Sequence, residues 1–403
     1  MKVPLRALSE KLHASYWFIP MLLMLVAACL AFGSLALDAS IRDKILQEQG
    51  WVYSGGPEGA RAVLATIAGS IITVAGTTFS ITIAVLSMAS GQFGPRLLRT
   101  FMRDRGSQAV LGAFVATFLY CLLVLRTVRG TNNDTYVPHL SVTIGTILSV
   151  VCLGALIYFI HHTAESIQVI HIIDIVGRDL DIALRRQFPE TATPERPVTL
   201  LQMPERVVFA TTLGYIQVID QQDLLNRAKR EGSVFRILAG PGDYLVPGTP
   251  LVQVYGDWNA ALDSKIRRAF TLGRQRTPEE DSEFGFLQLV EVAVRALSPG
   301  INDPFTAIMC IDRISASLCL LAGRFDPPAE LVDETGEIRV MLKPVRPADL
   351  VHSAFAQIRH NGKSTPVIVC HLLKQIDVVL GRLCECEFRA ALQQERDLLK
   401  EEL

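Results

Sequence analysis

From Ala62 to Pro95 the chain carries no charged side chain, and small or hydroxyl residues recur through it three or four positions apart: Ala62, Thr66, Gly69, Thr73, Gly76, Ser80, Ala84, Ser87 and Gly91. That spacing gathers them into one seam along a helix, with Leu64, Ile67, Ile71, Val74, Phe79, Ile81 and Leu86 largely off it. At 1.5 Å per residue the stretch runs roughly 45 Å, longer than the ~30 Å hydrocarbon core of a bilayer. Lipid offers little hydrophobic drive between helices, so a small, polar-flecked stripe predicts either a close helix–helix seam or a surface facing water. Thr66, Gly69, Thr73, Gly76, Ser80 and Ser87 are its candidate packing or pore residues, and both roles coexist at an oligomer axis.

Three further apolar runs have the length of a membrane span. Residues 17–37 open with Tyr16 and Trp17 as interfacial aromatics, and the run is too long for the core of a cleaved signal peptide. Residues 106–125 lie between Arg105 and Arg126, and residues 140–160 are followed by His161 and His162. With the seam helix at 62–90, this predicts a four-span transmembrane domain over residues 1–162. None of the four runs contains Asp, Glu, Lys or Arg. Ion-coupled carriers need such a group in the membrane, so its absence points to a passive pore or a non-transporting anchor.

Charge sets an expected orientation. Lys2, Arg6 and Lys11 precede the first span, and Arg96, Arg99, Arg103 and Arg105 fill the short loop after the second, whereas the other loops are mixed or sparse in cations. The positive-inside rule then places both termini in the cytoplasm. Gly94–Pro95 ends the second helix, and Leu97, Leu98, Phe101 and Met102 share a face beyond it. Arg96, Arg99 and Arg103 are therefore expected at lipid headgroups or as an electropositive ring at an inner pore mouth. The formal net charge of −1 excludes no partner by itself, because the two signs are segregated along the chain.

Residues 163–403 read as a cytoplasmic α+β domain. A stripe of Val169, Ile172, Ile173, Val176, Leu180 and Leu184 predicts a helical extension over 163–187, continuous with the fourth span. Residues 205–256 read as a small β-module. Its turns, around Gly242-Asp243, Gly248 and Pro250-Leu251, resemble barrel-sandwich modules of biotinyl and lipoyl carriers, without a lysine at the hairpin tip where those carriers are modified. The remainder, 257–403, is helical. Thr277-Pro-Glu-Glu is a capping box for a helix burying Phe284, Phe286, Leu287, Val290, Val294 and Leu297. Asn302 and Asp303 stand at a helix corner, where Asp303 caps the next helix or the pair binds a ligand or partner. Glu395 to Glu402 is expected as a charged tail.

Candidate chemistry is sparse. Cys384-Glu-Cys386 lacks metal or redox spacing, and His161, His162, Glu165 and His171 match no short metal motif. There is no phosphate-binding glycine loop, no HExxH, no nucleophile elbow and no dinucleotide fingerprint. Enzymatic activity, a cofactor, a catalytic residue, a resident metal and nucleic-acid binding are therefore not expected.

Several strings resemble one family of bacterial predicted membrane proteins, domain of unknown function 2254. They are the first span with its aromatic start, Thr77-Thr-Phe-Ser-Ile-Thr, Ser90-Gly-Gln-Phe-Gly-Pro-Arg, Asp243-Tyr-Leu-Val-Pro-Gly-Thr-Pro-Leu and Ala296-Leu-Ser-Pro-Gly-Ile-Asn-Asp-Pro-Phe-Thr-Ala. The resemblance implies a four-span protein of the bacterial inner membrane with a cytoplasmic domain, and it brings no activity with it. The expected fold is thus an α-helical integral membrane protein with four transmembrane helices plus an α+β cytoplasmic domain. Two functions fit: a homo-oligomeric channel or pore for a small ion, with a cytoplasmic regulatory domain, or a membrane-anchored scaffold or sensor binding a cytoplasmic partner or ligand.

Overall fold

The computed structural model describes residues 17–40, 53–93, 104–131, 134–166, 168–192, 204–384 and 386–401. The chain divides into two compact units, Met1–Gln168 and Val169–Leu403.

Unit 1 is built from α1 (Phe18–Ser40), α2 (Pro57–Phe93), α3 (Arg105–Leu125) and α4 (His139–Ser166), with a short hairpin of β1 (Arg129–Thr131) and β2 (Asp134–Tyr136) before α4. Each helix outlasts the uncharged run that predicts it, and α2 at 37 residues is about 56 Å long. The hub is α3, which packs on the other three helices and buries Val110, Leu111, Phe114, Tyr120 and Val124. Along α1 the inward residues are Ala27, Ala31, Ser34 and Asp38, while Met21, Leu25, Val26, Phe32 and Leu37 stand exposed. Small side chains inside and large apolar ones outside invert the soluble pattern and suit a lipid surround. Gly112 marks a close approach between α1 and α3, since a Cβ there falls 2.7 Å from Leu23 Cδ1 and 3.0 Å from Pro20 Cα.

Unit 2 opens with α5 (Val169–Gln187), a separate helix rather than the continuation of α4 expected from its apolar stripe. The Gln168 N–H donates to Glu165 O at 3.1 Å, an i−3 bond that tightens and closes the end of α4. The β-module comprises β3 (Arg206–Phe209), β4 (Gly214–Ile219), α6 (Gln221–Glu231), β5 (Val234–Ile237), β6 (Tyr244–Leu245), β7 (Pro250–Tyr255), α7 (Ala260–Arg268), β8 (Phe270–Gly273), β9 (Glu330–Val332) and β10 (Ile338–Met341). Five strands run in the order β3-β7-β5-β10-β9 and three as β6-β4-β8, around one core that includes Val208, Ile216, Phe235, Val254, Leu262 and Val340. The module is therefore larger than residues 205–256: β8 adds to it after α7, and β10 returns from far along the chain to pair in parallel with β5.

The helical part holds α8 (Ser282–Ala296), α9 (Pro304–Leu321), α10 (Pro347–Gly362), α11 (Pro366–Leu380) and α12 (Glu387–Glu401). Two expectations are corrected here. The N-cap of α8 is Asp281, which accepts the Phe284 N–H at 3.0 Å, and not Thr277. Arg276 holds that carboxylate through two bonds of 2.6 and 2.7 Å, a contact between residues five apart that fixes Asp281 as the helix start past the Thr277 signal. The charged tail is the helix α12. Its Glu395 is buried and pairs with His352 Nδ1 at 3.1 Å and Arg359 Nε at 3.2 Å.

Among the described residues, five helices are long and apolar enough to cross a membrane: α1, α2, α3, α4 and, beyond the four expected, α9. The last differs from the others in carrying charges, Asp312 and Arg313, near its middle, where the others carry theirs toward the ends.

Candidate functional site

The seam of α2 lies on the outside of unit 1. Thr66, Gly69, Thr73, Gly76, Ser80 and Ser87 are all exposed, and a Cβ added at Gly69 or Gly76 meets no atom within 4 Å. The helix packs through Ala60, Leu64, Ala68, Ile71, Ala75 and Thr78 instead, every one of them buried. At roughly 100° per residue these two faces lie on opposite sides of the helix. Among the described residues of unit 1, then, the seam is not a helix–helix contact. Its hydroxyls bond back into their own helix: Thr73 Oγ1 donates to Gly69 O at 2.8 Å and Ser80 Oγ to Gly76 O at 2.9 Å. Each hydroxyl hydrogen is thus satisfied without water, and each oxygen remains an acceptor on the exposed face. Chemically, the stripe offers close backbone approach at the glycines and a ladder of neutral acceptors between them.

Two polar nodes hold the helices behind this face, at opposite ends of α4. At its N-terminus, Asp38 of α1 accepts the Leu140 N–H at 2.9 Å, the Ser141 N–H at 2.9 Å and the Ser141 hydroxyl at 2.6 Å. An acid on one helix thereby caps another, satisfying N–H groups that the first turn leaves without intrahelical partners. The Tyr120 hydroxyl of α3 joins by donating to Ser141 O at 3.0 Å, with Ser34 Oγ 3.1 Å away. Near the other end, Asp104 caps α3 through Gly106 N–H at 3.0 Å, Ser107 N–H at 3.3 Å and Ser107 Oγ at 2.6 Å. His162 Nε2 of α4 sits 2.9 Å from both Asp104 oxygens and stacks on Tyr158. Both nodes escape a reading of the sequence. The only hint of the first is that an acid ends the uncharged run one turn after a serine, at Ser34 and Asp38.

The other candidates fall in separate places. His161 pairs with Glu165 at 3.2 Å on an exposed face, and no group of three or more His, Cys, Asp or Glu that could hold a metal occurs among the described residues. Arg96, Arg99 and Arg103 lie outside the described residues. Asp303 is the N-cap of α9, accepting the Thr306 N–H at 3.2 Å and its hydroxyl at 2.6 Å, with Pro304 in the first turn. The Thr306 hydroxyl, ahead of the backbone bonds, holds the Asp303 carboxyl below the usual carboxylate range. Asn302 takes φ 48°, the one non-glycine positive φ among the described residues, and Ile301 and Phe305 beside it are exposed.

The chain belongs to the family described as predicted membrane protein (DUF2254), whose sequence pattern matches residues 13–377. It is 32% identical over 399 residues to an uncharacterized protein of Mycobacterium bovis and equally to one of Mycobacterium tuberculosis, alignments that cover 96% of this chain and 76% of each relative. No solved structure matches it.

Proposed function

We propose that this protein is a homo-oligomeric channel or pore of the bacterial inner membrane, with α2 facing the oligomer axis and unit 2 serving as a cytoplasmic regulatory domain. The observation that carries the reading is the exposed seam. A membrane helix that faces only lipid gains nothing from Gly69, Thr73, Gly76 and Ser80 in register, and among the described residues of unit 1 none covers them. A second copy supplies the missing neighbour, and the acceptor oxygens between the glycines suit a path for water and a small ion.

In this reading α1 to α4 cross the bilayer and α9 does not. Asp312 of α9 accepts from His371 at 2.6 Å and Gln375 at 2.7 Å, and Arg313 pairs with Asp181 at 2.6 Å, which suits a helix inside a water-exposed domain. Four crossings return both termini to the cytoplasm, the side favoured by Lys2, Arg6, Lys11, Arg96, Arg99, Arg103 and Arg105.

The test is planar-bilayer recording of the purified oligomer, together with thiol labelling. After replacement of the exposed cysteines Cys29, Cys370, Cys384 and Cys386, Thr73→Cys and Ser80→Cys are expected to react with a water-soluble thiol reagent faster than Ile81→Cys. A folded oligomer with no conductance, and seam cysteines no faster than the lipid-facing one, selects the alternative. That alternative is a membrane-anchored scaffold or sensor in which Asn302 and Asp303 meet a cytoplasmic partner or ligand.

A further inference from the structure

Unit 2 contains a cleft of about 640 Å³ between α5, α9 and the segment after α11. Its walls carry four arginines, Arg185, Arg313, Arg324 and Arg382, against two acids, Asp181 and Glu190. The acids are already spoken for. Asp181 accepts from Arg313 Nη2 at 2.6 Å and from Ser317 Oγ at 2.8 Å, and Glu190 accepts from Arg324 at 2.6 Å. Arg324 also donates to Phe188 O at 2.6 Å, so its side chain, only 7% exposed, is a fixed part of the wall. Arg313 is fixed as well. It passes so close to α5 that a Cβ at Gly177 would lie 1.8 Å from its Nε, so a larger residue there would force the Arg313 side chain to move. Arg185 and Arg382, by contrast, are exposed and have no carboxylate partner among the described residues.

We infer that this cleft binds a phosphate group, with Arg185 and Arg382 closing on it from the rim. Guanidinium forks recognise phosphate oxygens through paired, charge-assisted hydrogen bonds, and a volume of this size takes a small phosphorylated molecule or a lipid headgroup. With Arg313 and Arg324 each paired to an acid, the excess positive charge of the cleft comes from Arg185 and Arg382, and Ala316, Leu320 and Gly323 line it as well. The inference stands apart from the channel reading, because it uses no residue of unit 1.

Calorimetric titration of inorganic pyrophosphate into the full-length protein, held in phosphatidylcholine nanodiscs, tests the soluble source. Saturable binding is expected. The double variant Arg185→Ala/Arg382→Ala should weaken it at least about tenfold. Arg186→Ala removes the same charge from the next, non-lining position and should leave binding unchanged. A second arm counts phosphatidylglycerol molecules retained by parent and double variant in native mass spectrometry, and retention lost with the double variant assigns the site to a headgroup. Absence of pyrophosphate binding together with equal lipid retention overturns the inference, as does an Arg186→Ala loss equal to that of the double variant. Should the double variant unfold, the single Arg382→Gln variant is read in its place by the same criteria.

Discussion

Gly76→Leu separates what a chain needs in order to fold from what it needs in order to assemble. Among the described residues the new side chain meets nothing beyond its own helix turn, because no other atom lies within 4 Å of the Cβ position. Replacing a mid-helix glycine also removes an entropic cost of roughly 0.5–1 kcal/mol, so unit 1 is expected to be at least as stable as the parent. Between copies the sign reverses. A leucine where two backbones approach overpacks the contact by about 1–3 kcal/mol, weakening association roughly 5- to 150-fold at each interface. The assay is light scattering across a dilution series in detergent, paired with thermal melting followed by circular dichroism. Gly112→Leu is the internal control, since its Cβ falls 2.7 Å from Leu23 and 3.0 Å from the Pro20 backbone. It is expected to lower the melting temperature of the isolated chain. Parent-like assembly of Gly76→Leu, while Gly112→Leu melts early, would refute the interface; early melting of both would refute the exposed placement of the seam.

Other expectations follow from the nodes and caps. Asp38→Ala strips a buried cap from α4 and should cost about 1–3 kcal/mol in reversible detergent unfolding, with Asp38→Asn retaining part of the bonding. Asp303→Ala should cost about 0.5–2 kcal/mol in thermal melts and Asp303→Asn much less. Because the Asp303 carboxyl is held below its ordinary value, its contribution is complete above the unfolded-state value and fades as pH falls through the folded one. Asp303→Asn should abolish that acid limb, and a limb unchanged in the variant would show that Asp303 does not produce it. Glu395→Ala removes a buried carboxylate that binds both His352 and Arg359 and should destabilise unit 2 by roughly 1–3 kcal/mol in denaturant titration; a loss below about 0.5 kcal/mol would show that these bonds are not what holds α10 to α12.

The apolar helices were legible because absence of charge over a membrane's thickness is a one-dimensional signal that needs no partner. Which face of α2 turns inward was not. Ala60, Ala68 and Ala75 on the packed side are as small as Gly69, Thr73 and Gly76 on the open one, and periodicity names faces without saying what they meet. The same limit hid β10, whose pairing with β5 spans about a hundred residues and leaves no local trace. At Thr277 the local grammar was sound and was overruled by the Arg276–Asp281 pair. The Asp38 node was illegible for a related reason, since a cap supplied by another helix has no fixed spacing.

That borrowed cap imposes an order on biogenesis. The opening turn of α4 takes its acceptor from a residue 102 positions earlier, so the last helix of the unit to leave the ribosome reaches its resting place only beside the first. Until α1 has docked, the N–H groups of Leu140 and Ser141 must stay where water can serve them. If the four helices cross the bilayer as proposed, a chain whose first helix is deleted or wrongly oriented should therefore show its defect at the far end of the bundle, as an α4 whose first turn is left unpacked beside a protease-accessible β1–β2 hairpin.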